Sequence, residues 1–259
     1  MNNKFYFCFI FLILLGCASK LPTPSKTSFS STWIKTDHKP HSSEDSGKIS
    51  IRVVSDGVRF NIDEMRQFEE SGKVFLKRTI IIFDGKDLFR VRLPILSSQE
   101  DNYEFSRIEF ANLTDRLKPI EKSKAIGEER FWVIPLSSKI TSGETISGRK
   151  TNIWTGQVHH RFETNQTVKA WVDNETGFSL KMEIQERSKY GASVFSNIPD
   201  DEFTIECKSI DYGPLQNSDS VLFNLPDQEQ LRLLDHEWFE EFKKLQPGYR
   251  VNLDFKSGQ

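Results

Sequence analysis

The sequence lacks the excess of positive charge that would mark a nucleic-acid-binding protein. Its 35 lysine and arginine residues are balanced by 37 aspartate and glutamate residues, which gives a formal net charge of -2. The two signs are interspersed, so no basic stripe is available to neutralise phosphates or to hold an anionic bilayer. This balance argues against nucleic acid as a partner and against attachment through a polybasic patch.

Motifs for catalysis and for metal binding are also missing. There is no Gly-x-Ser-x-Gly nucleophile elbow, no His-Glu-x-x-His and no glycine-rich phosphate loop. His159 and His160 are adjacent, so on a strand their rings point to opposite faces and cannot hold one metal ion together. His38 and His41 have no third ligand nearby. The sequence therefore predicts a protein that is not an enzyme and that has no cofactor or metal.

A hydrophobic run long enough to span a bilayer is absent as well. The apolar run at residues 5–15 follows Lys4 and is shorter than the roughly 20 residues that a transmembrane helix needs. It has the length of a signal-peptide core. The residues that end it, Leu14-Leu15-Gly16-Cys17, resemble the lipobox of bacterial lipoproteins. The resemblance implies a signal peptide over residues 1–16, cleaved between Gly16 and Cys17.

Cys17 is the lipid attachment site that the lipobox implies. Two or three fatty chains such as palmitate would anchor the mature protein stably, since each buried methylene contributes about 0.8 kcal/mol. Ala18 stands where an aspartate resembles an inner-membrane retention signal. The predicted location is therefore the cell envelope, with the outer membrane favoured over the inner one if the organism has an outer membrane. The alternative is an ordinary signal peptide cut elsewhere, which would release a soluble protein.

Cysteine is too scarce to supply disulfide bonds. Of the three cysteines, Cys8 leaves with the signal peptide and Cys17 carries lipid, so only Cys207 remains. The fold must be stabilised by a hydrophobic core, in which Cys207 is expected to be a small buried residue.

Residues 17–47 are predicted to be a flexible tether. They are rich in Ser, Thr, Pro, Lys and His, and Trp33 with Ile34 forms an isolated apolar pair without a sustained period. Residues 48–259 are predicted to be a single domain, since an all-β domain of roughly 200 to 250 residues is common.

Hydrophobic residues beyond the tether repeat mainly with the period of two that is typical of β-strands. Three hairpins are predicted: 49–53 with 58–62 across Asp56-Gly57, 74–83 with 88–93 across Asp84-Gly85, and 168–172 with 178–184 across residues 173–177. Val172 is expected to pair with Phe178, and the facing of Trp171 is left open.

Shorter strands are predicted at 107–110 and 131–136, with a short helix around 113–118 between them. Further along, the alternation of Phe203, Ile205 and Cys207 reverses in phase before Ile210 and Tyr212, which predicts a β-bulge near residues 208–209.

An amphipathic helix is predicted over residues 228–246. Leu231, Leu234, Trp238, Phe242 and Leu245 recur at intervals of three and four residues. Asp227 is the expected N-cap, and Pro247-Gly248 should end the helix. Its apolar stripe is expected to pack on the sheet, and a lid or an interfacial helix is the alternative. A final short strand is predicted at 251–255.

The order of these elements predicts the fold class. Consecutive hairpins without intervening helices exclude a parallel α/β fold and favour an antiparallel meander. The predicted fold is therefore mainly β: a curved antiparallel sheet or half-open β-barrel with a C-terminal amphipathic helix.

Several motifs resemble the outer-membrane lipoprotein-sorting (LolA/LolB-like) superfamily. The motifs are the segments 146–151, 168–173, Glu175-Thr176-Gly177, 178–184, 210–213 and 222–226, together with the turn Ile82-Phe83-Asp84-Gly85-Lys86. They share a glycine-marked strand, a Trp-Val-Asp strand end, a Thr-Gly turn and a terminal Phe-x-x-Pro. The resemblance implies a half-open barrel covered by helices, which in several members holds acyl chains or lipidated proteins. The C-terminal position of the helix departs from the family, where helical segments often come earlier.

A cavity for acyl chains would need large apolar side chains. The predicted lining residues are Phe60, Ile82, Phe89, Trp132, Phe178, Leu180 and Met182. Burial of apolar area, at about 25 cal/mol per Å², would hold a long acyl chain without a charged partner. Ordinary core packing is the other interpretation of the same residues.

Two functions follow from these expectations. The first is a lipid-anchored envelope protein that binds a hydrophobic ligand (an acyl chain, lipid or lipoprotein) in the half-barrel cavity for transfer or sorting. The alternative is an envelope scaffold or sensor that uses the same fold with a filled core and a protein partner. A hollow interior favours the first, and a packed interior favours the second.

Overall fold

Strands make up most of the described chain, and every described strand belongs to one antiparallel sheet. The computed structural model describes residues 28–38, 44, 46–98, 108–132, 139–160, 164–188, 201–216, 219 and 221–245. The twelve strands are β1 (Phe29–Asp37), β2 (Lys48–Ser55), β3 (Phe60–Glu70), β4 (Lys73–Phe83), β5 (Leu88–Arg92), β6 (Leu96–Ser97), β7 (Glu109–Asn112), β8 (Lys139–Ile146), β9 (Arg149–His160), β10 (Thr164–Asp173), β11 (Ser179–Ser188) and β12 (Asp201–Tyr212). The helices are α1 (Pro119–Glu129), the short 3₁₀ helix Val221–Phe223, and α2 (Gln228–Leu245).

The sheet consists of two antiparallel halves joined at β1 and β12. One half has the order β7-β5-β4-β3-β2-β1 and the other has the order β12-β11-β10-β9-β8, while β6 pairs with β4 beyond the end of β5. The sheet is curved and stays open among the described strands, with β7 and β8 at its edges. The predicted fold class, a curved antiparallel sheet with a C-terminal helix, is therefore confirmed.

Strand β1 lies within the segment predicted to be a flexible tether, so that prediction is wrong for residues 29–37. Residues 29–37 form a central strand that pairs with β2 on one side and with β12 on the other. Phe29, Ser31 and Trp33 are all buried, and Trp33 Nε1 donates a hydrogen bond to Ser31 Oγ at 2.7 Å. Because a buried serine interrupts the apolar alternation, this strand has the composition of a polar linker. The β domain therefore begins before residue 48, and residues 17–27 of the predicted tether lie outside the described residues.

The predicted hairpins are confirmed, and aspartate side chains hold two of their turns. In the β2–β3 turn, Asp56 Oδ1 accepts hydrogen bonds from the amides of Val58 (3.0 Å) and Arg59 (2.6 Å). Gly57 has a φ of 88°, a conformation that glycine adopts without steric cost. Asp84 accepts hydrogen bonds from two amides of the β4–β5 turn in the same way.

The β10–β11 hairpin buries its two apolar sets on one face, as predicted. A register shift after Trp171 nevertheless pairs Val172 with Ser179 instead of the predicted Phe178. Trp171 is buried beneath two lysine ammonium groups, which lie 4.3 and 4.4 Å from its ring centroid. The lysine stems thus shield this ring from water while their charges stay near the surface.

The predicted bulge in β12 is confirmed at Lys208. Thr32 of β1 pairs with Ser209 and Trp33 pairs with Cys207, so Lys208 has no opposite residue on β1. Cys207 is buried as predicted, and burial raises the pKa of its thiol to about 12. The thiol is therefore protonated at neutral pH and packs as a small apolar side chain.

The segment after β7 differs from the prediction. No helix begins near residue 113, because Leu113 donates its amide hydrogen to Leu88 O (2.8 Å) and Thr114 Oγ1 accepts from the Leu88 amide (3.0 Å). Helix α1 begins only at Pro119, which suits the first helical position because no amide partner is needed there. The predicted strand at 131–136 is wrong for residues 131–132, which form a turn, and its remainder lies outside the described residues.

Buried side chains on the two faces of the sheet form two separate clusters. The main core includes Phe29, Trp33, Phe60, Trp132, Phe178, Leu180 and Met182, and spans β1–β5 and β8–β12. The helix core includes Ile80, Ile82, Phe89, Val91, Leu96, Trp238 and Phe242, between β4–β6 and α2. Strand β4 contributes to both, because alternate residues of a strand point to opposite faces. Its uninterrupted apolar run therefore reflects burial on both faces.

The predicted C-terminal helix is confirmed as Gln228–Leu245. Its N-cap is Asp227, whose Oδ1 accepts from the Gln230 amide (2.8 Å) while Gln230 Oε1 accepts from the Asp227 amide (3.0 Å). Trp238 is fully buried, and its Nε1 donates to Pro94 O at 2.7 Å. The helix is thus packed on the sheet, as expected. Residue 246 and the predicted strand at 251–255 lie outside the described residues.

Candidate functional site

The seven residues predicted to line one hydrophobic cavity are divided between the two faces of the sheet. All seven are buried, with at most 6% of each residue exposed. Phe60, Trp132, Phe178, Leu180 and Met182 belong to the main core, whereas Ile82 and Phe89 belong to the helix core. The prediction that all seven residues border one cavity is therefore wrong, because the sheet itself lies between the two groups.

Among the described residues, aromatic side chains pack against one another in the main core at the predicted cavity. Phe131 and Trp132, which we call the aromatic plug, form the turn that follows α1. The Trp132 ring meets Phe29 and Phe60 edge-on, with centroids 5.6 Å apart in each pair. The carbonyl of Trp132 also accepts a hydrogen bond from the Ser179 amide at 3.0 Å. The plug thus joins both halves of the sheet, and its rings are at the contact distances of packed aromatic pairs.

A narrow groove lies between α2 and the sheet, and we call it the α2 groove. Its volume is about 210 Å³. It is lined by Asn61, Asp63, Arg78, Ile80, Ile82, Val91, Val221, Leu222, Asn224, Pro226, Gln230, Leu233, Leu234 and Glu237. Ile82 is the member of the predicted cavity set that borders it. Two apolar residues of the lining are substantially exposed, Leu233 at 58% and Val221 at 45%.

The charged side chains of the α2 groove, Arg78, Asp63 and Glu237, are paired with one another. Arg78 donates to Asp63 through Nε (3.0 Å) and Nη2 (2.8 Å), and the Glu237 carboxylate lies 3.8 Å from Arg78 Nη1. Burial opposes the charge on Arg78, but the hydrogen bonds to Asp63 outweigh it, and the pKa of Arg78 is raised. Asn61 Nδ2 donates to Leu222 O at 2.9 Å and ties the 3₁₀ helix to the sheet. The groove is therefore formed in advance of any ligand.

A wider cleft separates α1 from the β4–β5 turn, and we call it the α1 cleft. Its volume is about 530 Å³. It is lined by Phe83, Gly85, Lys86, Pro119, Lys122, Ser123, Ile126, Gly127 and Arg130. Lys122 forms an ion pair with Asp87, and its hydrogen bond to that carboxylate lowers the pKa of Asp87. The cleft thus combines a cationic rim with apolar walls.

Arg130 is the least compensated charge of the α1 cleft. Its Nη2 donates to Val58 O at 2.6 Å, and its Nε is buried without a hydrogen-bond partner. The guanidinium carbon lies 5.2 Å from the Phe60 ring centroid and 5.5 Å from that of Phe83. Burial lowers the pKa of this arginine, because the charged form is poorly solvated. No carboxylate of the described residues lies within ion-pair distance of it.

Sequence reasoning missed Arg130 and the α1 cleft. The contacts of Arg130 with Val58 and Phe83 join segments far apart in the chain, so no local pattern indicates them. The sequence contains a partial indication of the α2 groove, because the motif at 222–226 contributes one of the walls of this groove.

The described residues show neither a metal-binding cluster nor a membrane-spanning helix. No three His, Cys, Asp or Glu side chains among them lie close enough together to hold a metal ion. In the same part of the chain, no helix combines the length and the apolar character that crossing a bilayer requires. Gly16 and Cys17 lie outside the described residues, so cleavage and lipid attachment stay predictions, as does the absence of enzyme activity.

Comparisons with known proteins give distant structural similarities only. No protein-family model and no curated protein matches the sequence. The chain is similar to a crystal structure of MucB, with 11% identity and a TM-score of 0.32 over 80% of this chain and 60% of that one. It is also similar to the MucA/MucB complex of Pseudomonas aeruginosa (14% identity, TM-score 0.27, 79% and 55% coverage). A third similarity is to MucB in complex with MucA(peri), at 15% identity and a TM-score of 0.25, over 80% of this chain and 54% of that one.

The chain thus spans between about half and three fifths of the length of these structures. Similarities at such identities and TM-scores do not indicate the function of the chain.

Proposed function

We propose that the chain is a non-catalytic binding protein of the cell envelope, which accepts apolar side chains of a protein partner in the α2 groove. The observation that carries this proposal is the groove itself: preformed, largely apolar, and about 210 Å³ in volume. Small-molecule sites usually measure about 300 to 1,000 Å³. The α2 groove therefore suits one or two side chains of a partner better than a whole lipid.

Exposed apolar side chains at the mouth of the groove support a protein partner. Leu233 and Val221 both border it, and Leu225 beside it is 41% exposed. Grouped exposed apolar residues mark interaction sites, and fully burying one such side chain contributes up to about 1.5 to 3 kcal/mol.

The charged side chains at the groove indicate which charge the partner segment should carry. Arg78 is paired with Asp63, whereas Glu237 is largely exposed at the groove, with 65% of its side chain accessible. Because this exposed carboxylate is only loosely paired with Arg78, it favours a partner segment that carries a lysine or arginine next to its apolar anchor.

Aromatic packing in the described part of the main core supports the scaffold or sensor hypothesis over the carrier hypothesis. Phe60, Trp132 and Phe178 would line the ligand cavity of a carrier, yet they are buried against other aromatic rings. The carrier hypothesis has a direct test: organic extraction of the purified protein followed by mass spectrometry should find no stoichiometric lipid beyond that attached at Cys17.

The proposal places the protein at the membrane through its N-terminus. It includes the signal peptide 1–16, cleavage after Gly16 and acylation of Cys17, with the outer membrane as the favoured site. Metabolic labelling with an alkyne analogue of palmitate checks this part. We expect label on the wild-type chain and none on Cys17→Ser, and equal labelling of both would contradict it.

Site-specific photocrosslinking tests the partner. A benzophenone amino acid at position 233 of the full chain, in its native cells, should give a discrete protein adduct. The same probe at position 232, which is exposed on the same helix but does not border the groove, should not. A second substitution, Val221→Asp, changes an exposed residue and should weaken the adduct from position 233 severalfold. Mass spectrometry that identifies a lipid adduct, or equal adducts from both positions, would contradict the proposal.

A further inference from the structure

We infer that the α1 cleft binds a small organic anion, a carboxylate or a phosphate monoester, through Arg130 and the two lysines beside it. The cleft shares no lining residue with the α2 groove, so this site is separate from the proposed partner site.

The first support is the unsatisfied guanidinium of Arg130. One of its nitrogens donates to Val58 O, and another, Nε, is buried with no partner. A buried donor without a partner leaves the guanidinium charge poorly compensated, and an anion in the cleft that Arg130 lines would offset that charge. The planar fork of an arginine matches the spacing of carboxylate and phosphate oxygens, which makes these anions the natural ligands.

The second support is the positive charge that converges on the cleft. Lys86 and Lys122 line it together with Arg130, and Ser123 adds a hydroxyl donor. Asp87 is the carboxylate that pairs with these lysines among the described residues: it binds Lys122 and lies 3.9 Å from the Lys86 ammonium. Three cations against one carboxylate leave an excess of positive charge for a ligand. Lys86 is also mostly exposed and can turn toward an anion.

The walls of the cleft define the remainder of the ligand. Phe83, Pro119 and Ile126 present apolar surface around the cationic rim. The volume of about 530 Å³ falls within the roughly 300 to 1,000 Å³ of small-molecule sites. A ligand with an aromatic or short aliphatic body would fill this space, whereas a bare inorganic ion would leave the apolar walls without contacts.

Gly127 provides a way to close the cleft without removing its charges. A Cβ atom built on Gly127 meets no atom within 4 Å, so a side chain at this position extends into open space. Replacing a helical glycine also favours the helix. Gly127→Trp should therefore fill the cleft while α1 and Arg130 stay in place.

Isothermal titration of the full chain with phenyl phosphate, benzoate and inorganic phosphate tests the site. We expect phenyl phosphate or benzoate to bind at one equivalent, and more tightly than inorganic phosphate. Arg130→Gln should weaken binding by about tenfold or more, as the loss of a charge-assisted hydrogen bond predicts. Gly127→Trp should abolish it. Arg116→Gln, which removes an arginine that is 93% exposed and outside the cleft, should leave the affinity unchanged.

The two organic probes distinguish a carboxylate site from a phosphate site, and either result supports the inference. Binding that is lost equally in Arg116→Gln and Arg130→Gln would show general charge screening and overturn it. Undiminished binding by Gly127→Trp would overturn it as well, even if Arg130→Gln proved unstable. Failure of the crosslinking experiment on the α2 groove would leave this result unaffected, because the two sites share no residue.

Discussion

The two cores of this protein lie on opposite faces of one sheet and are closed by different means. A turn closes the main core, because it brings the rings of Phe131 and Trp132 into the interior. Helix α2 closes the helix core along the stripe of Trp238 and Phe242. An α-helix is a cylinder of about 10 to 12 Å diameter that touches a sheet along one stripe, so it leaves space beside that stripe. The turn thereby packs the centre of the main core and leaves the α1 cleft at its edge beside Phe83, whereas the helix-covered face keeps a groove along α2 itself.

Removing the aromatic plug should produce the largest effect. Trp132→Ala deletes a buried side chain that contacts Phe29 and Phe60, so we expect the free energy of unfolding to fall by about 3 to 5 kcal/mol. Urea denaturation followed by circular dichroism measures this. Ile120→Ala on α1 is the control, since Ile120 is 85% exposed and its loss should change stability by no more than about 0.5 kcal/mol. A loss below about 1 kcal/mol for Trp132→Ala would mean that the plug does not fill the main core.

The parts of the fold that sequence predicts are those with a local cause. Alternating side chains and the Asp-Gly turns specify the hairpins, and Asp227 with the stripe of Trp238 specifies α2. Strand β1 was missed because Ser31 is an inward-facing residue whose hydroxyl is satisfied by the Val53 carbonyl and the Trp33 indole. The sequence of β1 alone does not show that the Ser31 hydroxyl has these hydrogen-bond partners. Helix α1 begins later than predicted for the same reason, since Leu88 on a distant strand holds the residues before it.

The candidate sites are less predictable, because each depends on where long-range packing leaves space. The apolar character of the seven predicted residues indicated burial correctly, yet the split of Ile82 from Phe60 depends on the pairing of β3 with β4. The unbroken apolar run 80–83 does carry a signal that both faces of β4 are covered. The position of Arg130 beside Val58 has no such signal, and only the fold shows it.

Replacing the central residue of the helix core should have a smaller and more local effect. Trp238→Phe keeps a large ring but removes the hydrogen bond from Nε1 to Pro94 O and part of the buried volume. We expect a loss of about 1 to 3 kcal/mol. Because α2 meets the sheet along one stripe, its amides should exchange faster with solvent while those of β1 and β12 keep their protection. Hydrogen exchange measured by NMR checks this, with the exposed Leu233→Ala as the control.

Equal loss of protection in α2, β1 and β12 would show that the two cores unfold as one unit. The two cores would then differ in the shape of their packing but not in their stability. Loss confined to α2 would mean that this helix is the less stable cover. Such a cover can shift to admit a partner side chain into the α2 groove while the plugged face of the sheet stays intact. The place where the protein opens most readily would then coincide with the place where its surface carries exposed apolar side chains.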